Sequence, residues 1–267
     1  MSDFANADLT YRAQPEMAAL FISDLHLQLE MPRTTQAFLT FLARHASRSR
    51  QLYLLGDIFE AWAGDDDITD AYNRQIVTAL KQLDERGVQV FWIAGNRDFL
   101  VGEKFAEASG VTLLDDPYVT TIAGLTIVLT HGDAQCTDDQ AYMQFRTQVR
   151  DPMWQRDFLA LPLSQRKAMI ASMRAGSRAA QRDKSYTIMD VNRDEIGKLF
   201  DSSEANIMIH GHTHRPACHE ELGDKTIRQR YVLSDWDLDD EVERGDWLEI
   251  DLNGNIQRRA ATALDKD

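Results

Sequence analysis

Five short apolar runs in this chain each stop on polar residues, and the first three are separated by segments of helical spacing. The runs are "MAALFISDLHL", "QLYLLGDIFE", "VQVFWIAGNRD", "LTIVLTHGD" and "NIMIHGHTHRP". Each apolar part has the length of a buried strand, not of a helix. Between them, "TTQAFLTFLARHA" sets Phe38, Phe41 and Leu42 on one face, and "AYNRQIVTALKQLDERG" does the same with Ile76, Leu80 and Leu83 before closing on Gly87. Strand, helix, strand, helix, strand requires crossover connections, so the pattern predicts an α/β fold with parallel pairing. Ligands of such sheets bind at the carboxyl ends of the strands. Those ends carry Asp24-Leu25-His26, Gly56-Asp57, Gly95-Asn96, His131-Gly132-Asp133 and Gly211-His212-Thr213-His214. Four of the chain's seven histidines fall there, which ordinary turn chemistry does not explain.

A chain of 267 residues, 43% hydrophobic and 27% charged, has the makings of one large α/β domain with a real core. The formal charge of −14 argues against nonspecific binding to nucleic acid. The first residues have neither a basic start nor an apolar stretch, so no signal peptide is expected there. No apolar run approaches the ~18–20 residues that span a bilayer. Cys136 and Cys218 stand far apart and form no CxxC pair, which suits reduced thiols in a cytoplasmic protein. Residues 1–17 are expected to be a loose extension, 18–258 a single domain and 259–267 a tail. Within the domain, 137–200 is expected to be a helical insert, with Phe145, Val149, Met153 and Trp154 at helical spacing. Residues 142–193 hold ten Lys or Arg against four Asp, a sign reversal that leaves −20 on the rest of the chain. The alternating "TIRQRYVLSDWDLDDEVERGDWLEIDLNGNIQRR", with its "NGN" turn, reads as antiparallel strands closing a second sheet.

The strand ends carry a chemistry. Residues i and i+2 of a strand point to the same side, so Asp24 with His26, and His212 with His214, are each expected to face a shared site. Carboxylate oxygen and imidazole nitrogen suit Mn, Fe or Zn, and the lack of nearby cysteine argues against a structural zinc site. Seven candidate ligands are too many for one ion. Two ions sharing a bridging carboxylate would use them all, and such a pair activates water and clamps a phosphoryl oxygen.

The order DxH…GD…GN…H…GHxH, over residues 21–216, resembles that of the calcineurin-like metallophosphoesterase superfamily. The resemblance implies a four-layer α/β/β/α sandwich, here with the helical insert as a cap over the site. It places Asp24, His26, Asp57 and His214 on a first ion, and Asp57, Asn96, His131 and His212 on a second. Most of the superfamily has histidine after the asparagine, often credited with protonating the leaving oxygen; this chain has Arg97. Arginine stays charged and cannot be a general acid, but it grips phosphate oxygens in a bidentate way. An enzyme without that acid favours a leaving group that needs no proton. A phosphate is one, since its second pKa is about 6, so Arg97 argues for cleaving a diphosphate.

The segments "FISDLHL", "LYLLGDIFEAWAGDD", "GNRDFL", "HGDAQCTDD", "SRAAQRDKSYTIMDVN" and "HGHTHRPA" together look like those of the UDP-2,3-diacylglucosamine pyrophosphohydrolase family of lipid A biosynthesis. That resemblance implies two Mn2+ ions and attack of water at the α-phosphorus of UDP-2,3-diacylglucosamine, giving UMP and 2,3-diacylglucosamine 1-phosphate. Arg97, His131 and His212 would be catalytic, and Asn96, Arg97 and His212 would touch the phosphates. Asp139, Ser177, Gln181 and Lys184 would contact the rest of the substrate; the family more often has asparagine where this chain has Gln181. Ser177, Gln181 and Lys184 lie at i, i+4 and i+7, one helical face. Arg174, Arg178 and Arg182 form an offset stripe that could meet anionic headgroups. The resemblance also implies a monomer at the cytoplasmic side of the inner membrane, held peripherally. The rival reading is a phosphoesterase of soluble nucleotides, which needs no groove for acyl chains. Around the motifs, Asp98 is expected to brace Arg97, Asp133 to orient its turn or His131, and His45 to be incidental.

Overall fold

The computed structural model describes residues 15–182, 190–223 and 226–264, without the side chains of 177–182 and 263. The first half runs β1 (Met17–Ile22), α1 (Pro32–Arg44), β2 (Ser49–Leu55), α2 (Ala71–Glu85), β3 (Gln89–Ile93), α3 (Glu103–Ser109) and β4 (Val111–Leu114). Strands β1 to β4 pair parallel in that order, as crossover helices require. Then come β5 (Tyr118–Ile122) and β6 (Leu125–Leu129), an antiparallel hairpin. The helices α4 (Gln140–Val149), α5 (Pro152–Leu159) and α6 (Leu163–Arg182) follow, inside the expected insert, and α7 (Arg193–Ser203) leads into β7 (Ile207–His210). The chain closes with β8 (Ala217–Leu222), β9 (Ile227–Val232), β10 (Asp246–Asp251) and β11 (Ile256–Ala260).

Two sheets result, ordered β11-β10-β1-β2-β3-β4 and β5-β6-β7-β9-β8. Strand parity assigns the layers. Ala19 and Phe21 of β1, Tyr53 and Leu55 of β2 and Ile93 of β3 face between the sheets, against Ile127, Leu129, Ile207 and Ile209. Leu20, Ile22, Leu52, Leu54, Val90 and Trp92 point the other way, onto Phe38, Phe41, Ile76, Leu80 and Phe105 of the first three helices. On the far face, Val128 and Met208 pack on Ile196, Leu199 and Phe200 of α7. The layers are therefore helix, sheet, sheet, helix.

Two expectations need correction. The C-terminal hairpin β10–β11 does not close the second sheet; β10 pairs antiparallel with β1 in the first. Alternation marks a half-buried strand without saying which open edge it joins, and here the free edge of β1 takes it. The packed chain also outlasts residue 258: β11 runs to Ala260, and Ala261 and Leu264 are buried in the first core. No described helix is long and apolar enough to cross a membrane.

Candidate active site

The ligand candidates lie just past the carboxyl ends of β1, β2, β3, β6 and β7, where the strands stop and side chains are free of the ladder. Asp24 and His26 do not share a side through strand parity, because β1 has already ended. The backbone turns left-handed instead: φ is 54° at Asp24, 49° at His26, 53° at Asp57, 67° at His212 and 54° at His214. Non-glycine residues adopt this region at a cost that surrounding structure must hold in place, and such residues cluster at functional sites. Two glycines make the convergence possible by close approach. A Cβ on Gly95 would strike the backbone and carboxylate of Asp57, and one on Gly211 would strike the Asp24 carboxylate and Ser23.

The side chains meet around two overlapping centres. Asp24, His26 and His214 bring one ligand atom each within 4.8 Å of one another, and so do Asp24, Asp57 and His131. His26 Nε2 lies 3.3 Å from His214 Nε2, and His214 Nε2 lies 3.4 Å from Asp24 Oδ1. That Asp24 oxygen is buried and has no hydrogen-bond partner among the described residues. Asp24 Oδ2 accepts the His212 N–H at 2.9 Å. Asn96 Oδ1 stands 3.0 Å from His131 Nε2 and 2.8 Å from His212 Nδ1. His131 Nδ1 faces the Leu55 carbonyl at 2.9 Å. The Nδ1–H of a neutral ring donates there, and the Nε2 lone pair then confronts the Asn96 oxygen. That position takes either a proton on Nε2 or a metal ion. His131 shows the same demand: burial lowers its pKa, but Asp57, Asp24 and Asp133 outweigh this and carry it up to about 9. Burial raises Asp24, and the neighbouring His214, with the charges of His131 and His26, reverses this, holding it below the usual carboxylate range. An unpartnered buried carboxylate oxygen and facing imidazole nitrogens, all O and N donors, fit a divalent metal ion. All seven predicted ligands are brought together.

Around this cluster the structure corrects smaller expectations. Asp98 does not brace Arg97. Its buried carboxylate accepts the N–H groups of Ile58 and Gly95, both at 2.8 Å, and of Phe59 at 3.4 Å, so it ties the Asp57 loop to the Asn96 loop. Burial and the neighbouring Asp57 push its pKa up to about 6. Asp133 accepts from Tyr142 Oη at 2.6 Å and Arg146 Nε at 2.9 Å, anchoring α4 instead of His131. His45 packs its ring on Phe41 and Trp247. Cys136 is free and buried, its thiol pushed up to about 12 by burial, which is not a nucleophile's state. Glu60 and Asp235, which touch His26 and His214 at 3.0 and 3.6 Å, were not foreseen. Glu60 carries a faint signal, standing three residues after Asp57; Asp235 carries none, being far from every motif in sequence.

The Arg97 N–H donates to Asp57 Oδ1 at 2.7 Å, and its side chain enters the cavity, with a buried Nε that lacks a hydrogen-bond partner among the described residues. The cavity has a volume of about 460 Å³. One end holds His26, Asp57, Asn96, His212 and His214. The other is apolar, walled by Trp62 and Phe99 of the body and by Phe145, Trp154, Phe158 and Met173 of α4, α5 and α6. Asp139 lines it and caps α4 through the Tyr142 N–H at 3.1 Å. Ser177 and Gln181 lie on α6, where their side chains are outside the described residues, as is Lys184 altogether.

Four cations of the insert turn toward the body. Arg146 pairs with Asp133, Arg166 with Asp66 and the Ala63 carbonyl, Lys167 with Asp67, and Arg174 with Glu60. These cations meet carboxylates of the acidic body, so Arg174 does not belong to a headgroup-facing stripe.

Comparison with known proteins agrees with this geometry. The family model described as calcineurin-like phosphoesterase matches residues 17–216. The UDP-2,3-diacylglucosamine hydrolase of Chromohalobacter salexigens is 49% identical over 220 residues, 82% of this chain and 89% of its own. That of Escherichia coli O7:K1 is 47% identical over 220 residues, 82% of this chain and 91% of its own. A solved archaeal phosphodiesterase aligns with 91% of this chain and 98% of its own at 12% identity and a TM-score of 0.43. The chain belongs to the calcineurin-like phosphoesterases and, among them, to the family of the UDP-2,3-diacylglucosamine hydrolases.

Proposed function

We propose that this chain hydrolyses the diphosphate of UDP-2,3-diacylglucosamine at the α-phosphorus, releasing UMP and 2,3-diacylglucosamine 1-phosphate for lipid A synthesis. The observation that carries this reading is the continuity of one cavity from the ligand cluster, past Arg97, into an apolar groove made by the insert. A soluble nucleotide would leave that groove empty. A diacyl glucosamine fills it, and burial of acyl methylenes stabilises the complex by ~0.8 kcal/mol each.

Asp24, His26, Asp57 and His214 would hold one Mn2+, and Asp57, Asn96, His131 and His212 a second. Manganese supplies Lewis acidity toward the phosphoryl oxygens and toward a water. The chain's residues do the rest. Arg97 is held by its backbone N–H on Asp57 and its side chain lines the cavity, where the guanidinium can clamp the phosphate oxygens. Because Arg97 donates no proton, the bond that breaks has to release a weakly basic oxygen, and the sugar phosphate is one. Burial and the charge of His131 lower His212 to about 4, so its ring stays neutral at working pH. Asp139 at the head of α4 and Ser177, Gln181 and Lys184 of the insert would meet the sugar and nucleotide. Residues 137–200 would serve as a cap on a single domain. The enzyme would act as a monomer. A lipid substrate brings the enzyme to the inner-membrane surface, on the cytoplasmic side, without an inserted helix.

The test is incubation of the purified chain with UDP-2,3-diacylglucosamine and Mn2+, with and without chelator. Release of UMP that stops on chelation supports the reading. Release of UDP would place the cut at the sugar and refute it.

A further inference from the structure

Glu60 stands between the ligand cluster and the cap. Its Oε2 lies 3.0 Å from His26 Nδ1, and its Oε1 pairs with the Arg174 guanidinium of α6. Both side chains are largely buried. The backbone holds Glu60 in place: its N–H donates to the Leu27 carbonyl at 3.2 Å, the Leu27 N–H donates to Ile58 at 2.8 Å, and the His26 N–H donates to Asp57 at 3.0 Å. Two ligand-bearing loops thus run side by side, and Glu60 is where they face α6. Glu60, Arg174 and Ile170 also form the wall between the catalytic cavity and a second hollow of about 330 Å³ on the far side of α6.

We propose that Glu60 is a positioning residue that joins the seating of the cap to the shape of the ligand cluster. The Glu60 carboxylate, 3.0 Å from Nδ1 but not aligned as a hydrogen bond, favours by its charge a proton on that nitrogen. That fixes the tautomer whose Nε2 lone pair faces His214, and it raises the basicity of the ring. The carboxylate is itself held by Arg174. A buried acid with two cationic or donor partners loses its compensation when either leaves. Removing Arg174 therefore frees Glu60 to turn, and His26 loses its orientation although α6 contributes no ligand. The proposal rests on the hydrolase reading for its substrate arm only; its metal arm is independent.

The test is Mn2+ titration, following free Mn2+ by its electron paramagnetic resonance, on wild type, Glu60→Gln, Glu60→Ala, Arg174→Gln and the double variant Glu60→Ala/Arg174→Gln. Glu60→Ala is expected to weaken Mn2+ binding roughly 10–100-fold. Glu60→Gln should weaken it less, because the amide oxygen still places a partial negative charge beside His26 Nδ1. Arg174→Gln should weaken it several-fold, and the double variant should bind no worse than Glu60→Ala alone, because Arg174 acts through Glu60. Wild-type affinity in Glu60→Ala overturns the proposal, and so do additive losses in the double variant. Thermal unfolding in chelator checks folding; if Glu60→Ala does not fold, Glu60→Gln and Arg174→Gln carry the test, and wild-type affinity in both overturns it. Tight Mn2+ binding by wild type without UMP release would refute the hydrolase reading and leave this one standing.

Discussion

Replacing Arg97 by alanine separates phosphate binding from metal binding. Two features of the structure make the separation clean. The Arg97 N–H that supports Asp57 is backbone and survives the substitution, so the loop carrying Asn96 keeps its tie to Asp57. The side chain, in contrast, ends in the cavity with Nε buried and without a hydrogen-bond partner among the described residues. Its removal takes away charge-assisted hydrogen bonds to the diphosphate, each worth about 1.5–3 kcal/mol. A bidentate contact uses two, so about 3–6 kcal/mol of transition-state stabilisation is at stake, roughly 10²–10⁴ in turnover. UMP release should fall by that factor at saturating Mn2+, while metal content, measured by mass spectrometry on the same preparation, stays at the wild-type level. Arg97→Lys should recover only part of the rate, since an ammonium keeps the charge and loses the fork. Unchanged turnover in Arg97→Ala would refute the clamp. Metal content that falls in step with activity would show that Arg97 serves the ligand loop instead.

Trp154 stacks on Phe158 at 4.8 Å in the apolar half of the cavity, so Trp154→Ala should raise KM for the diacyl substrate. A loss of about 2 kcal/mol is roughly thirtyfold; kinetics on long-chain and short-chain substrates side by side check it, and equal effects would speak against an acyl groove. Asp98→Ala strands the N–H groups of Ile58, Phe59 and Gly95 in the interior and should cost about 3 kcal/mol of stability in urea, with Asp98→Asn costing less because one oxygen remains. His210 has its pKa lowered to about 3, by burial first and then by Arg230. The unfolded chain therefore takes up a proton below its ordinary value of 6.5 that the folded ring refuses, so this group's stability is complete above 6.5 and is lost as pH falls toward 3. Denaturation of wild type against His210→Gln should show the wild-type advantage shrinking by about 2 kcal/mol between pH 7 and pH 5; a constant difference would mean the ring is charged in the fold.

The sequence was most legible where burial writes a pattern. "QLYLLGD" alternates between two cores, and only a strand between a helix layer and a second sheet buries Leu52 and Leu54 on one side and Tyr53 and Leu55 on the other. The ligand positions were legible because polar residues that close such runs have to face something. How they converge was not. Strand parity was the available argument, and the backbone abandons it for left-handed turns at Asp24, His26, Asp57, His212 and His214, which no pattern of polarity announces. Glu60 and Asp235 stayed hidden for a different reason. Their roles are defined by a partner far away in sequence, and a lone carboxylate carries no mark of that partner. The C-terminal hairpin failed in the same way, since alternation predicts a strand but not its neighbour.

The charge of the insert shows how a correct count can suggest the wrong partner. An excess of Lys and Arg inside an acidic chain invites an external anion, such as a lipid headgroup. Here Arg146, Arg166, Lys167 and Arg174 turn instead toward Asp133, Asp66, Asp67 and Glu60. These four pairs tie the cap to the body by complementarity within one molecule. These cations are then committed before substrate arrives, and the guanidinium of Arg97 and the ligand cluster are left to receive the diphosphate. On a chain of net charge −14, little long-range steering of an anionic substrate is to be expected. On the proposed reading, capture would come from short-range contacts, with the acyl chains in the apolar groove supplying affinity and Arg97 and the ligand cluster choosing the bond.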